Sequence, residues 1–136
     1  MSRRTVGLLL VIAVVVVSCG GTSRTPLLAD GRILYTSNGC AACHGSAGEG
    51  GAGGPLADVV RTFPQCSEHV EWVELGSAGW VETKGDTYGS AGKPITGEMP
   101  SFSPRMTEKE IRTVVTYERV EFGGLDEETV RADCGV

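Results

Sequence analysis

Aromatic side chains are scarce: two Trp, three Tyr and three Phe supply only 6% of the 136 residues. A domain this small with so few large apolar groups has a marginal core unless something else fills it. Basic residues are also in deficit, with 12 Lys and Arg against 17 Asp and Glu, which argues against nucleic acid or anionic lipid headgroups as ligands. Histidine occurs only at positions 44 and 69. Cys66 and His69 are too isolated to complete a zinc ribbon with another Cys pair. No Walker-type Lys-Ser/Thr follows the six glycines between Gly45 and Gly54, and no strand precedes them, so phosphate binding by that loop is disfavoured. The apolar run Val6–Val17 is too short to span a bilayer as a mature helix.

That run follows Arg3 and Arg4, the layout of a secretory signal over residues 1–18. Its end, Val16-Val17-Ser18-Cys19-Gly20, resembles the lipobox of bacterial lipoproteins. The resemblance implies cleavage before Cys19, its lipidation, and a chain anchored by lipid in the periplasm or on the outer face of the cell membrane. An ordinary signal peptide with an incidental cysteine is the plainer alternative. Residues 19–27, rich in Gly, Thr and Ser, read as a flexible tether, and residues 28–136 as the functional domain. Loss of residues 1–18 leaves ten Lys and Arg against seventeen acids, a net charge of −7, compatible with protein partners that offer a basic patch.

The informative stretch is Cys40-Ala41-Ala42-Cys43-His44, the c-type haem attachment pattern. Two thiols at this spacing can each add to one porphyrin vinyl group, and the imidazole that follows falls under the iron as an axial donor. A Cys-x-x-Cys redox pair is the rival reading, but the buried strand of a thioredoxin-like βαβ unit is not visible before it. The glycine-rich stretch 45–54 then reads as backbone wrapped closely around the haem edge.

A second iron ligand is sought among Met99, Met106 and His69. Thr107-Glu108-Lys109-Glu110 is a capping box, which places Met106 just before the cap, packed on Ile111 as a hydrophobic staple. Met99 sits instead in a Gly- and Pro-bounded loop with no helix to serve, and its thioether favours the reduced iron. His69, within a short helix expected over Ser67–Leu75, reads as a solvated surface residue. The stretch Gly76–Gly97 reads as loop, with Trp80 and Tyr88 in core or haem-packing roles. Helices are expected over Leu27–Asn38, ended by Gly39, and over Glu108 to about Phe122; Asp126 can cap a last turn. Cys66 and Cys134 pair in an oxidising compartment or remain two buried thiols.

In order, Gly31 and Tyr35, the attachment motif, Pro55-Leu56, Met99-Pro100 and Val114-Val115-Thr116-Tyr117 resemble a class I cytochrome c of the small bacterial kind, over about Ala29 to Phe122. The resemblance implies an all-α fold of three to five helices around one covalent haem c, with Gly31 against Tyr117 where the first and last helices cross. It implies that the Pro55 carbonyl receives the free ring N–H of His44, and that His44 and Met99 hold the iron from opposite faces. With both axial positions filled, the protein is expected to carry single electrons between membrane-associated redox partners and to catalyse nothing. Three alternatives stay open: a five-coordinate haem binding a small gas or peroxide, a thiol oxidoreductase, and a fixed cytochrome subunit of a respiratory complex.

Overall fold

The structure, a computed structural model, describes residues 24–136; the expected signal segment and Cys19 lie outside the described residues. Among the described residues, four longer helices, two single helical turns and one small hairpin make up the fold. Helix α1 spans Pro26–Ser37, with Thr25 as N-cap accepting from the Leu28 N–H at 3.3 Å and Pro26 in the first turn, where its missing N–H costs nothing. Helical structure therefore begins inside the stretch 19–27 read as tether. Arg24 is already anchored to Glu121, at 2.8 Å.

Gly39, at φ 84°, ends α1 and caps the turn α2, Cys40–His44. The turn α3, Val59–Thr62, precedes α4, Cys66–Lys84. Strands β1, Thr87–Tyr88, and β2, Lys93–Pro94, pair antiparallel with Thr87 opposite Pro94. Helix α5 spans Glu108–Glu121 and α6 spans Glu127–Cys134. Both halves of the capping box form at the start of α5: the Glu110 N–H donates to the Thr107 hydroxyl at 3.3 Å, and the Thr107 N–H to the Glu110 carboxylate at 2.8 Å.

Helix α4 runs nine residues past the end expected from its sequence, across a kink at Gly76 (φ 64°, ψ −178°). The apolar pattern fades there because Gly76-Ser77-Ala78-Gly79 follow Leu75, although the buried positions Val73, Ser77 and Trp80 continue at helical spacing across the kink. Trp80 is buried and meets Phe63 and Trp72 edge-on, while its indole N–H donates to the Thr87 carbonyl at 2.9 Å. Trp72 stacks on Tyr88 at 4.6 Å. Four of the eight aromatic side chains are thus gathered on or beside α4.

The most extensive helix contact is that of α1 with α5. A Cβ at Gly31 would press on the Tyr117 side chain and lie 2.9 Å from the Thr113 carbonyl oxygen, so the two backbones can meet only over glycine. Tyr35, fully buried, packs between Tyr117 and Phe122 at 5.7 and 5.2 Å. Behind this crossing, Cys66 and Cys134 form a disulfide with Cα atoms 5.2 Å apart. The buried Arg119 reinforces it, donating to the Phe63 carbonyl at 2.7 Å, the Pro64 carbonyl at 3.0 Å and Asp133 at 3.1 Å. The same Asp133 oxygen accepts the Cys66 N–H at 2.9 Å. The last helix is therefore fastened to the start of α4 by one covalent and several polar links.

Candidate functional site

The site begins where α1 stops. The left-handed Gly39 reverses the chain, and a single turn of α2 carries Cys40, Cys43 and His44. Residues three and four apart share one side of a helix, so both sulfurs and the imidazole are delivered to one edge. Neither thiol is bridged; Cys40 is buried and Cys43 half-buried. Burial, and next the Glu118 carboxylate, push the Cys40 thiol up to about 12. A dithiol oxidoreductase needs the reverse, a depressed thiol that ionises near neutrality. The zinc reading finds no support either, since the described residues contain no group of three His, Cys, Asp or Glu side chains able to hold a metal ion.

The tight loop after α2 fixes the imidazole. His44 Nδ1 lies 2.7 Å from the Gly54 carbonyl oxygen. A carbonyl only accepts, so Nδ1 carries the proton and Nε2 keeps its lone pair for a metal. This corrects the role given to Pro55. The Leu56 N–H donates to Gly48 at 2.8 Å, which turns the Pro55 carbonyl to the other side of that trans peptide. Proline still shapes the acceptor, because its fixed φ holds the Gly54 carbonyl in place. The loop closes on the attachment turn itself: the Gly50 N–H donates to the His44 carbonyl at 2.7 Å and the Gly53 N–H to the Cys43 carbonyl at 2.9 Å. A Cβ at Gly53 would lie 2.7 Å from His44 Cε1, which makes that glycine a wall of the imidazole slot. Sequence reasoning missed Tyr35 as part of this assembly. Its hydroxyl donates to the Gly45 carbonyl at 2.7 Å and ties α1 to the end of the motif.

Met99 is positioned from another element. At Gly76 the helix opens, and the freed Ser77 N–H donates to the Met99 carbonyl at 2.9 Å. The Met99 N–H donates to the Ser77 hydroxyl at 3.1 Å. On either side, Ser101 donates to the Glu74 carbonyl at 2.5 Å and the Phe102 N–H to Val73 at 3.1 Å. The loop that presents Met99 is therefore docked along the kink, and its half-buried side chain packs against the core. Met106, by contrast, is sealed in the core beside Ile111.

His69 is not on the surface. It is 2% exposed, lies flat on Phe63 at 5.2 Å, and its Nε2 stands 3.1 Å from the Glu118 carboxylate. The signal that could have found it is Glu118 itself, an acid within the apolar face of α5.

A family model described as Cytochrome c matches residues 28–117, more than half of the chain. The chain belongs to the cytochrome c family. Comparison with curated proteins returns no match. Membership brings a covalently bound c-type haem and the family's task, haem-based electron transfer rather than catalysis. The residues present fit that group: two unbridged thiols on one helical turn, and an imidazole whose Nε2 is left free by the bond at Nδ1. The matched segment ends at Tyr117, inside α5, and α6 with Cys134 lies beyond it.

Proposed function

We propose that this cytochrome is a monohaem carrier of single electrons, of the class I kind, with thioethers at Cys40 and Cys43 and axial ligands His44 and Met99. The observation that carries the reading is the His44 Nδ1 to Gly54 bond, 2.7 Å, beside two unpaired cysteines. It commits one ring nitrogen to the backbone and leaves the other basic and oriented. Bound haem supplies a one-electron ferrous/ferric couple. The chain's own part is to keep both ligands in place in both states and to exclude water. The loop around Cys43 and His44 holds the imidazole side, and the kink at Gly76 holds Met99, so neither ligand needs to move when the charge changes.

Beyond the domain, we infer export, lipidation of Cys19 and confinement to a membrane surface, where a tethered carrier meets its partners at raised effective concentration. The net charge of −7 in the mature chain favours donor and acceptor proteins with basic docking faces.

The test is the visible spectrum of Met99→Ala beside the parent and Met106→Ala. The weak long-wavelength Met-to-iron band is expected in the ferric parent, lost in Met99→Ala and kept in Met106→Ala. A high-spin ferric parent, or a ferrous parent that takes up carbon monoxide readily, would assign the protein to gas or peroxide chemistry instead. Anchoring is read separately: Cys19→Ala should move the protein from the membrane fraction to the soluble one.

A further inference from the structure

Just before α1 the chain is fixed at one corner of the domain. Arg24 grips both oxygens of the Glu121 carboxylate, its Nε and Nη2 donating at 2.9 and 2.8 Å. Each group favours the ionised form of the other, chiefly through those bonds, so Arg24 lies above its ordinary value and Glu121 below. The next residue adds a second link: the Thr25 hydroxyl donates to the Glu127 carboxylate at 2.7 Å. A lone surface ion pair would hold the chain weakly. Here a two-pronged pair and a further charge-assisted bond act on consecutive residues, directly ahead of the first turn of α1. Glu121 ends α5 and Glu127 begins α6, so the chain enters the domain where α1, α5 and α6 meet.

That position shortens the leash of a chain lipidated at Cys19. Five residue steps separate Cys19 from Arg24, and fully extended backbone spans at most about 18 Å over them. A tether running over the whole stretch 19–27, up to the buried Leu28, would reach about 32 Å. A compact domain of this size has a radius of about 17 Å. On the shorter leash the corner rises no further than the domain's equator, so it stays in the half that faces the bilayer. On the longer one the domain could turn almost completely over. Among the described residues the large apolar side chains left exposed are Ile33 and Val81, and neither belongs to the segments that form this corner. Exposed Asp126 and Glu128 outnumber exposed Arg131 there. The corner therefore has no apolar wedge for the lipid and no basic patch for its headgroups, and the leash alone sets its orientation.

We propose that the corner formed by the starts of α1 and α6 and the end of α5 is the membrane-facing surface of the anchored protein, and that the Arg24 and Thr25 contacts impose this orientation by shortening the leash. The surface that meets it is a phospholipid bilayer, approached but not penetrated. The loop that carries Met99 joins α5 at the other end, about 20 Å from Glu121 along the helix axis, and is docked on α4. It is thereby left towards redox partners seated in or on the same membrane. This rests on the lipidation reading above and adds to it which face of the domain meets the lipid.

The test places the mature, haem-loaded protein on phosphatidylcholine vesicles that contain a trace of lipid with a photoactivated cross-linker on its headgroup. Labelled peptides are then mapped by mass spectrometry. In the parent the labels are expected to concentrate on residues 24–30 and 121–131. An insertion of about ten Gly and Ser residues after Ser23, long enough for the domain to turn over, should abolish that concentration. Arg24→Ala combined with Glu127→Ala should weaken it. Labels spread evenly over the parent, or centred on the Met99 loop, would overturn the proposal, as would a concentration that survives either change intact. Should the double variant fail to hold haem, the insertion decides, because it leaves every residue of the folded domain in place. A parent that stays in solution and takes up no label would defeat the lipidation reading instead.

Discussion

Gly76→Ala tests the assembly of the methionine side of the site from a position that is not itself a ligand. Gly76 has φ 64° and ψ −178°, a region only glycine occupies freely; another residue there costs about 1–3 kcal/mol. A Cβ at this position would also lie 2.5 Å from the Met99 carbonyl oxygen and 2.5 Å from the Ser101 nitrogen. Relief requires the loop to move off the kink. That loses the bonds Ser77 N–H to Met99 and Met99 N–H to Ser77, 2.9 and 3.1 Å long, at about 1 kcal/mol each. Together the substitution disfavours the docked loop by about 3–5 kcal/mol, a population shift of about a hundredfold or more, since 1.4 kcal/mol is about tenfold. The ferric variant should lose the Met-to-iron band, and its ferrous form should bind carbon monoxide. The α1–α5 crossing lies elsewhere in the fold, so haem content should persist. A Gly76→Ala protein that keeps the band and excludes carbon monoxide would refute the argument that the kink positions Met99.

Removing the disulfide with paired Cys66→Ser and Cys134→Ser changes should cost about 4 kcal/mol by the loop-entropy argument, given the separation of 68 residues. Urea unfolding reads this as a lower midpoint, and an unchanged midpoint would mean that Arg119 and Asp133 hold α6 unaided. Thr107→Ala should destabilise the domain by about 1 kcal/mol, also by urea unfolding. Glu110 is held below the usual carboxylate range, chiefly by the Thr107 N–H and then by its hydroxyl. A depressed value means that its contribution is complete above the ordinary Glu value of about 4.3 and fades as pH falls through the lower folded value. Thr107→Ala keeps the backbone N–H and removes only the hydroxyl's share of that hold, so the gap between parent and variant should narrow modestly in acid; a gap that widened there would contradict the assignment.

Chemistry carried by neighbouring residues was legible without coordinates. The attachment motif, the left-handed stop at Gly39, the capping box and the Asp126 cap all lie within a few positions of the groups they serve. Gly31 against Tyr117 was also foreseen, because the resemblance supplied a crossing that periodicity alone does not specify. The errors share one cause. The sequence pattern ends helix α4 at Leu75 because Gly76-Ser77-Ala78-Gly79 carry no apolar stripe, and only the docked Met99 loop explains a glycine-only conformation there. The resemblance makes the Pro55 carbonyl the histidine acceptor, but His44 bonds to Gly54, and the hydrogen bond from Leu56 to Gly48 turns the Pro55 carbonyl away. His69 read as a surface residue because the partner that holds it in the core is 49 positions away, at Glu118.

The sequence alone therefore determined the kind of cofactor and the helices that frame it, since thioether spacing and helix caps are short-range chemistry. The tertiary structure decided the acceptor for His44, the support beneath Met99 and the burial of an acid–base pair. Those depend on segments distant along the chain being brought within hydrogen-bonding reach, and no local pattern of residues encodes that.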